Sequence, residues 1–455
     1  MELKVTQEKL FTNHDLMRLL LPLFIEQFLA IAVGLADQIM VAYVGESAVS
    51  AVSLVDSINI LIINIFAALA TGGAVVAGQF IGQKNYDLAN QAGFQLFLLV
   101  GIISLGVTGL MYAMRHFILT VVFGKIEADV ATYAWTYMNI TFASVPFIAL
   151  YNAGAAIFRS MRDSRTTLIV SIITNLINVS GNAIGVFVLQ LGISGVAYPT
   201  LISRMAGAFI IIALLFDQRK LIHLSRRLSF RFNRYMVRNI LKIGIPNGIE
   251  NSMFQLGKIL LLSVISAFGT AATTANAIGN TVSAFAILPG VAIGLGLVTI
   301  VSQCVGAGNY DDARLYTKKL IFLVIISHLF VNGLLVLALP LIITIYHLST
   351  ETAVLTRQVI IFHSIFAATI WPLAFTLPNT LRAANDVRFA MGVSVFSMWV
   401  FRIGLGIYLA KYTALGMISI WIAMIADWIV RSIFFILRFH GKRWEKHRPQ
   451  PPILS

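Results

Sequence analysis

Long runs of apolar residues follow one another along the whole chain, separated by short polar segments. A helix needs about 20 apolar residues to cross a bilayer core of about 30 Å, and the pattern predicts twelve membrane-spanning helices. Their predicted ranges are 16–44, 47–80, 92–114, 130–158, 166–190, 193–216, 237–267, 272–304, 318–346, 357–381, 388–411 and 414–438. Several ranges are too long for a perpendicular span, so we expect tilted or kinked helices.

The polar residues that interrupt this pattern occur twice, 224 residues apart. The first set is Pro22, Glu26, Gln79, Gly82, Asn85 and Asp87, and the second is Pro246, Glu250, Gln303, Gly306, Asn309 and Asp311. A further pair, Arg159-x-x-Arg162-Asp163 and Arg382-x-x-Asn385-Asp386, recurs at an offset of 223. The chain is therefore a duplication, and two similar membrane bundles are the plan of many transporters.

The duplication divides the chain into four predicted parts. Residues 1–216 form an N-terminal six-helix lobe, 217–236 a cytoplasmic linker, 237–440 a C-terminal six-helix lobe and 441–455 a cytoplasmic tail. The predicted fold is an all-α integral membrane protein, with twelve transmembrane helices in two pseudo-symmetric six-helix lobes around a central cavity. The arginine-rich linker favours a helix lying at the lipid headgroups.

The amino-acid composition indicates that the chain lies in a lipid bilayer. Of the 455 residues, 58% are hydrophobic and only 11% are charged, which lies outside the range of soluble proteins. The net charge of +14 suggests nucleic acid at first, but the Lys and Arg residues lie in short segments between the spans. There they indicate topology and contacts with anionic lipid, so we expect a bilayer and no nucleic acid as partner. The only cysteine is Cys304, so no intrachain disulfide is possible.

The basic segments all fall on one side of the predicted spans. They carry Lys84, Arg162, Lys220, Lys319, Arg382 and Lys442, among others. By the positive-inside rule this side is the cytoplasm, and an even number of spans places both termini there. We expect a multi-pass protein of the cell's inner (plasma) membrane that acts as a monomer, without a cleaved signal peptide.

Several motifs together resemble the multidrug and toxic compound extrusion (MATE) transporters. They are Leu35-Ala-Asp-Gln-Ile-Met-Val41 with Gly45, the paired Gly-x-x-Asn-Tyr-Asp-x-Ala segments, Arg159-Ser-Met-Arg-Asp163 and Leu381-Arg-Ala-Ala-Asn-Asp386. The resemblance covers residues 10–440, and the polar pattern of the first half is most similar to the DinF-like branch. It implies two lobes around a central cavity and the exchange of organic cations for protons or sodium ions, without another cofactor.

Asp37 is the strongest candidate for the coupling site. A carboxylate in a bilayer core is costly and therefore indicates a function. Asp37 lies in the outer half of the first span, about 30 Å from its start at 1.5 Å per residue. The resemblance implies the same role, because the acidic residue of the matching motif is the coupling site in MATE transporters. The alternative is an aspartate solvated at the outer headgroup boundary.

Glu26 precedes Asp37 by close to three helical turns, so both carboxylates are expected on one face of the helix. Its repeat partner is Glu250. Neighbouring amides, Gln27 and Asn251, are able to satisfy the two glutamates by hydrogen bonding. A structural role and a part in ion or substrate binding both remain open for these glutamates.

A polar stripe follows on the fifth span. Asn175, Asn178 and Asn182 are spaced by three and four residues and therefore share one side of the helix. Thr200, in the sixth span, matches a polar position of the DinF-like branch. The resemblance implies an acidic residue where Asn182 stands, so Asp37 is expected to titrate nearly alone. The alternative for this stripe is interhelical hydrogen bonding without a ligand.

Three charged residues are the candidates of the second lobe: Glu250, Lys258 and Arg402. Buried charges persist mainly when they are paired. We therefore expect Lys258 to pair with Glu250 or Asp37, and Arg402 to pair with Asp427. The sequence predicts no metal site.

These observations predict a secondary transporter that expels lipophilic organic cations by alternating access. Protons are the favoured coupling ion, because protonation of Asp37 removes the charge that holds the cation; sodium is less favoured. A flippase for lipid-linked oligosaccharide or polysaccharide precursors is the alternative, but it would need several Arg or Lys residues for a pyrophosphate. No phosphate-binding Gly-x-x-x-x-Gly-Lys-[Ser/Thr] motif and no nucleophile constellation indicates a pump or an enzyme.

Overall fold

The computed structural model describes residues 10–224 and 232–446, and these residues form helices and no β-strand. The helices of the first half are α1 Asn13–Val44, α2 Glu46–Gly82, α3 Tyr86–Phe117, α4 Ala128–Phe142, α5 Val145–Ser160, α6 Ser164–Ala183 and α7 Ser194–Leu215. Those of the second half are α8 Arg234–Ser266, α9 Thr270–Ala286, α10 Leu288–Gly306, α11 Tyr310–Leu337, α12 Leu339–Ile345, α13 Thr350–Thr369, α14 Leu377–Ala383, α15 Val387–Ser397, α16 Gly406–Tyr412 and α17 Ile418–His440.

Wider π-helical turns continue or join several of these helices. Ile118–Val122 extends α3, Ile184–Val188 extends α6, Pro372–Thr376 joins α13 to α14, and Met398–Leu405 joins α15 to α16. Ten of the resulting helices in the described ranges are long and apolar enough to cross a membrane, and α4 with α5, bent by 46°, makes an eleventh. The remaining predicted span is α8, which has 33 residues but carries charges along its length.

The duplicated Asn residues begin equivalent helices. Asn85 caps α3 by accepting a hydrogen bond from the Leu88 amide, and its repeat partner Asn309 caps α11 in the same way. The residues before these caps, Lys84 and Gly308, are both left-handed, with φ of 58° and 73°. The repeated motif is therefore a tight turn that stops one helix and caps the next.

The first parts of α1 and α8 pack in the opposite halves of the chain. Phe11, Leu19 and Leu23 belong to the hydrophobic core of the second half. Met236 and Ile240 belong to the core of the first half. Consequently α1 packs against both α10 and α6, and α8 packs against both α2 and α15. This reciprocal exchange ties the two lobes together.

Glycines bring the lobes into contact at the end of the bundle where α1 begins. We call it the basic end, because it carries Lys84, Arg162, Lys220 and Arg382. A Cβ atom on Gly82 would lie 2.1 Å from the Gln303 carbonyl oxygen, and one on Gly306 would lie 2.0 Å from the Gln79 carbonyl oxygen. Because both obstacles are backbone atoms, only glycine permits this approach.

Two glutamines, one from each lobe, form equivalent hydrogen bonds across this contact. The Gln79 side chain donates to the Ala383 carbonyl oxygen at 2.9 Å, and the Gln303 side chain donates to the Ser160 carbonyl oxygen at 2.7 Å. Gln79 and Gln303 are repeat partners, and so are Ser160 and Ala383 at the offset of 223. We call this arrangement, with the two glycines, the clasp.

The second duplicated motif completes the clasp. Arg162 Nε donates to Gln303 Oε1 at 2.7 Å, and Gln79 Nε2 donates to Asn385 Oδ1 at 3.2 Å. Arg162 and Asn385, again repeat partners, are both left-handed, with φ of 67° and 65°. The repeats seen in the sequence therefore meet each other across the lobe interface.

The predicted linker, 217–236, lies partly outside the described residues, which omit 225–231 with Arg226, Arg227 and Arg231. Residues 217–224 form turns, and α8 begins at Arg234, inside the predicted linker.

Candidate functional site

Asp37 lies toward the far end of α1, about 36 Å along the helix axis from Asn13 at 1.5 Å per residue. Its side chain is partly buried. The Asn182 Nδ2 atom donates to Asp37 Oδ1 at 2.8 Å, and Asn182 itself is fully buried. A buried amide that donates to a carboxylate stabilises its ionised form.

Asn178 adds a second donor to the same carboxylate. In the amide orientation that satisfies its hydrogen bonds, Asn178 donates to both Asp37 oxygens, at 3.0 and 3.1 Å, and accepts from the Thr200 hydroxyl at 3.2 Å. Asn178 is buried on α6, and Thr200 lies on α7. Three helices therefore converge on Asp37, and we call these four residues the acid cluster.

The acid cluster contains four of the predicted site residues, and the structure places the others elsewhere. Asn175 donates to the Ser171 hydroxyl at 3.4 Å within its own helix. The side chain of Glu26 accepts from the Thr167 hydroxyl at 2.9 Å. Glu26 lies about 16 Å along α1 from Asp37, from the helical rise of 1.5 Å per residue, so a shared helix face does not bring the two carboxylates together.

Glu26 and Glu250 form equivalent ion pairs. Arg159 Nη1 lies 3.6 Å from Glu26 Oε1, and Arg382 Nη2 lies 2.7 Å from Glu250 Oε1. Both arginines belong to the duplicated Arg-x-x-Arg/Asn-Asp motif. The prediction that Gln27 and Asn251 satisfy these carboxylates is therefore wrong. Pairing inside each lobe indicates a structural role for the glutamates, since a partly desolvated carboxylate is retained when an arginine compensates it.

Sequence reasoning did not place Asp56 in the site. Asp56 accepts from the Asn59 amide at 3.2 Å and from the Tyr137 hydroxyl at 3.3 Å. The charges of Asp56 and Arg204 both act on Asp37, so Asp37 has a second carboxylate in its surroundings. The sequence did offer a signal, because Asp56 is a single acidic residue inside the second apolar span. Its partner Tyr137, however, lies on α4, 81 residues away in the sequence, and the sequence does not show that contact.

Lys258 does not pair as predicted. Its amine lies 5.1 Å from the Phe254 ring, and the ion pairs of the described residues give Glu250 to Arg382 instead. The predicted pair of Arg402 and Asp427 is confirmed, at 3.7 Å. Asp427 has a closer partner, Arg431, whose Nε lies 2.7 Å from Oδ1. Lys258 and Arg402 both line a cavity of about 490 Å³ in the second lobe.

Comparison with known proteins identifies the family of this chain. The family model described as MatE matches residues 22–184 and 246–408, one match to each half of the duplication. The chain belongs to the MatE family. The two matched ranges are offset by the same 224 residues as the polar repeat, so the family pattern itself occurs twice here.

Two similar relatives cover almost the whole chain. An uncharacterized transporter, YisQ, of Bacillus subtilis (strain 168) is 26% identical over 97% of this chain and 96% of its own length. A probable multidrug resistance protein NorM of Thermotoga maritima is 24% identical over 95% of this chain and 93% of its own length. The chain is thus similar to one protein named as a transporter and one named as a probable multidrug resistance protein.

Solved structures show the same fold. A crystal structure of MATE in complex with MaL6 superposes with a TM-score of 0.88 over 94% of this chain and 95% of that chain, at 20% identity. The predicted MATE resemblance and the all-α membrane fold are therefore confirmed. The DinF-like branch stays a prediction, and these matches give the flippase alternative no support.

Proposed function

We propose that this MatE-family protein is a secondary multidrug efflux transporter that exchanges lipophilic organic cations for protons at Asp37. The observation that carries the proposal is a partly buried carboxylate, far along a membrane helix, that receives hydrogen bonds from two buried amides. Membrane carboxylates of this kind mark ion and substrate pathways. The name of the Thermotoga maritima relative supports multidrug transport.

The acid cluster suits competition between a cation and a proton. When Asp37 is ionised, Asn178 and Asn182 stabilise it, and its negative charge attracts an organic cation. Protonation removes that charge and releases the cation. One pH unit supplies about 1.4 kcal/mol per proton, and 100 mV of membrane potential supplies about 2.3 kcal/mol per charge moved.

Proton coupling is favoured over sodium coupling by the orientation of Asn182. A sodium ion needs oxygen ligands, whereas Asn182 turns its amide nitrogen toward Asp37. Sodium binding at this carboxylate would require that amide to rotate.

The clasp provides the moving interface of alternating access. By the positive-inside rule the basic end faces the cytoplasm, so an arrangement with the clasp formed is closed toward the cytoplasm. Inward opening requires the separation of Gly82 from Gln303 and of Gly306 from Gln79. The interface here is built from backbone contacts and hydrogen bonds, which break and re-form without separating an ion pair.

The proposal is tested with the purified protein, expected to act as a monomer, reconstituted into the lipid bilayer of proteoliposomes. The assay measures efflux of ethidium, a cationic dye. We expect a proton gradient, but not a sodium gradient, to drive efflux, and Asp37→Asn to abolish it. Glu46→Gln, which removes an exposed carboxylate at the start of α2, is the matched control and should transport normally. Undiminished proton-driven efflux by Asp37→Asn would overturn the proposal.

A further inference from the structure

The cavity of the second lobe has the size and walls of a small-molecule site. Its volume of about 490 Å³ lies within the range of ligand pockets, about 300–1,000 Å³. Trp371, Trp421 and Trp428 contribute much of the wall, with Phe254 and Phe375. Such a surface favours a ligand with an apolar or aromatic body.

The charges at this cavity do not balance. Arg402 and Arg431 share one carboxylate, Asp427, whose atoms lie 3.7 Å and 2.7 Å from them. Lys258, also at the cavity, has no acidic partner among the ion pairs of the described residues. Lys258 and Arg402 line the cavity, and Asp427 is held more closely by Arg431, which lies behind the cavity wall. The cavity wall therefore carries an excess of positive charge, which favours an anion.

Arg402 has unused hydrogen-bonding capacity at the cavity wall. Its side chain is only 10% exposed, and its Nε atom has no hydrogen-bond partner. An unsatisfied donor on a buried charged group is costly. A ligand oxygen in the cavity would satisfy it, since guanidinium groups bind carboxylates, sulfonates and phosphates in forked geometry.

Lys258 is accessible to a ligand. Although α8 packs within the helix bundle, the Lys258 side chain is exposed, and it lines the cavity. It lies about 36 Å along α8 from Arg234, at 1.5 Å per residue. The amine is thus placed toward the far half of the membrane span with its donors available.

We propose that the second-lobe cavity binds an amphiphilic organic anion. A carboxylate, sulfonate or phosphate group lies between Lys258 and Arg402, and the apolar body packs against the tryptophans. The volume accommodates one drug-sized molecule. This site is separate from the acid cluster of the first lobe, and the inference does not depend on proton coupling at Asp37.

The test uses three anthracene probes of similar size with the purified full chain in a nonionic detergent. They are 9-anthracenecarboxylate, the uncharged 9-anthracenemethanol and the cationic 9-(methylaminomethyl)anthracene. Binding is followed by energy transfer from tryptophan. We expect the carboxylate to bind at least tenfold more tightly than either other probe, and Trp421→Phe to reduce the transfer.

Lys258→Met should remove the preference for the carboxylate, and Lys258→Arg should keep it. Lys411→Met, which removes an exposed cation of α16, is the control and should leave the affinity unchanged. Equal binding of the three probes, tightest binding of the cation, or an unchanged affinity in Lys258→Met would overturn the proposal. The unfolding midpoint of each variant verifies that it is folded.

An added arm identifies the natural source of the anionic group. Phosphatidylglycerol is titrated into the micelles with the bound anthracenecarboxylate. Displacement that depends on Lys258 would support the site with a lipid headgroup as its occupant, and lack of displacement would support it with a free organic anion. Displacement that is the same in Lys258→Met would count against a site at Lys258.

Discussion

The acid cluster of the first lobe and the basic cavity of the second occupy similar places in a duplicated scaffold, yet their charges are opposite. By the repeat, Leu261 takes the place of Asp37, and Lys258 stands where the first lobe has Gly34, one helical turn away. Asp37 is held by amide donors, whereas Lys258 faces an aromatic cavity with Arg402. The two lobes thus share a fold and differ in the charge of the polar residues at these equivalent places.

The symmetric parts of the molecule explain why this divergence is tolerated. The clasp needs both copies of its glutamine and glycine, because each copy contacts the other across the interface. At the far parts of α1 and α8, Asp37 hydrogen-bonds to Asn182 of its own lobe and Lys258 lies over Phe254 of its own helix. Substitutions there change chemistry without opening the clasp.

Removing a glutamate of the paired Glu–Arg sites should have the largest effect on stability. Glu250→Gln leaves Arg382 uncompensated, and we expect the free energy of unfolding to fall by about 3–5 kcal/mol. Glu26→Gln should cost less, because Arg159 is farther away and Thr167 can still hydrogen-bond the amide. Chemical denaturation in detergent measures both, with Glu46→Gln as control. An equal, negligible loss in both would contradict the structural role.

The clasp predicts a second, symmetric effect. Gly82→Ala and Gly306→Ala each place a methyl group against a backbone carbonyl, and each should cost about 1–3 kcal/mol of stability. Gly106→Ala, at an exposed position of α3 with nothing within 4 Å, is the control. The loss of stability is measured by comparing the unfolding midpoints of the three variants with that of the wild-type chain. If only one of the two clasp variants were destabilised, the reciprocal contact would be refuted.

The acid cluster predicts a lobe-specific effect on binding. Asn182→Leu removes a donor to ionised Asp37, and hydrogen bonds to charged groups contribute about 1.5–3 kcal/mol. Because a tenfold change in affinity corresponds to about 1.4 kcal/mol, we expect the affinity for ethidium to fall about tenfold or more. Asn175→Leu, on the same helix but outside the cluster, should change affinity less than twofold. Equal losses in the two variants would remove the distinction between them.

The smallest effect is expected for Lys258 on cation transport. Lys258→Met should change proton-driven ethidium efflux less than twofold, because Asp37 lies in the other lobe. The same variant should lose the anion preference of the second cavity. A large loss of ethidium efflux would mean that the two lobes share one substrate path.

Much of the fold was predictable because membrane helices are recognised in a sequence by their length and apolar composition. The repeat also predicted which residues are equivalent, and the clasp shows why those residues, Gln79 and Gln303 among them, occur twice. The exchange of the first parts of α1 and α8 was not predictable. Apolar residues such as Leu19 and Ile240 have no sequence signal that tells one lobe's core from the other's.

The candidate site was predictable where a single helix determined it. The spacing of Asn178 and Asn182 places both on one face of α6, whereas their contact with Asp37 of α1 was not predicted. The partner of Lys258 was predicted wrongly, because pairing depends on how α8 is rotated against α14 and α15. Glu250 meets Arg382 there, and Lys258 is left at the cavity.

Proton release on cation binding tests the central claim most directly. Purified protein in weakly buffered detergent solution is mixed with ethidium near the pH at which Asp37 is half protonated, and the released protons are counted with a pH indicator. Competition for one charge predicts proton release by the wild-type chain and by Lys258→Met, but none by Asp37→Asn. Release by Asp37→Asn equal to that of the wild type would contradict the account.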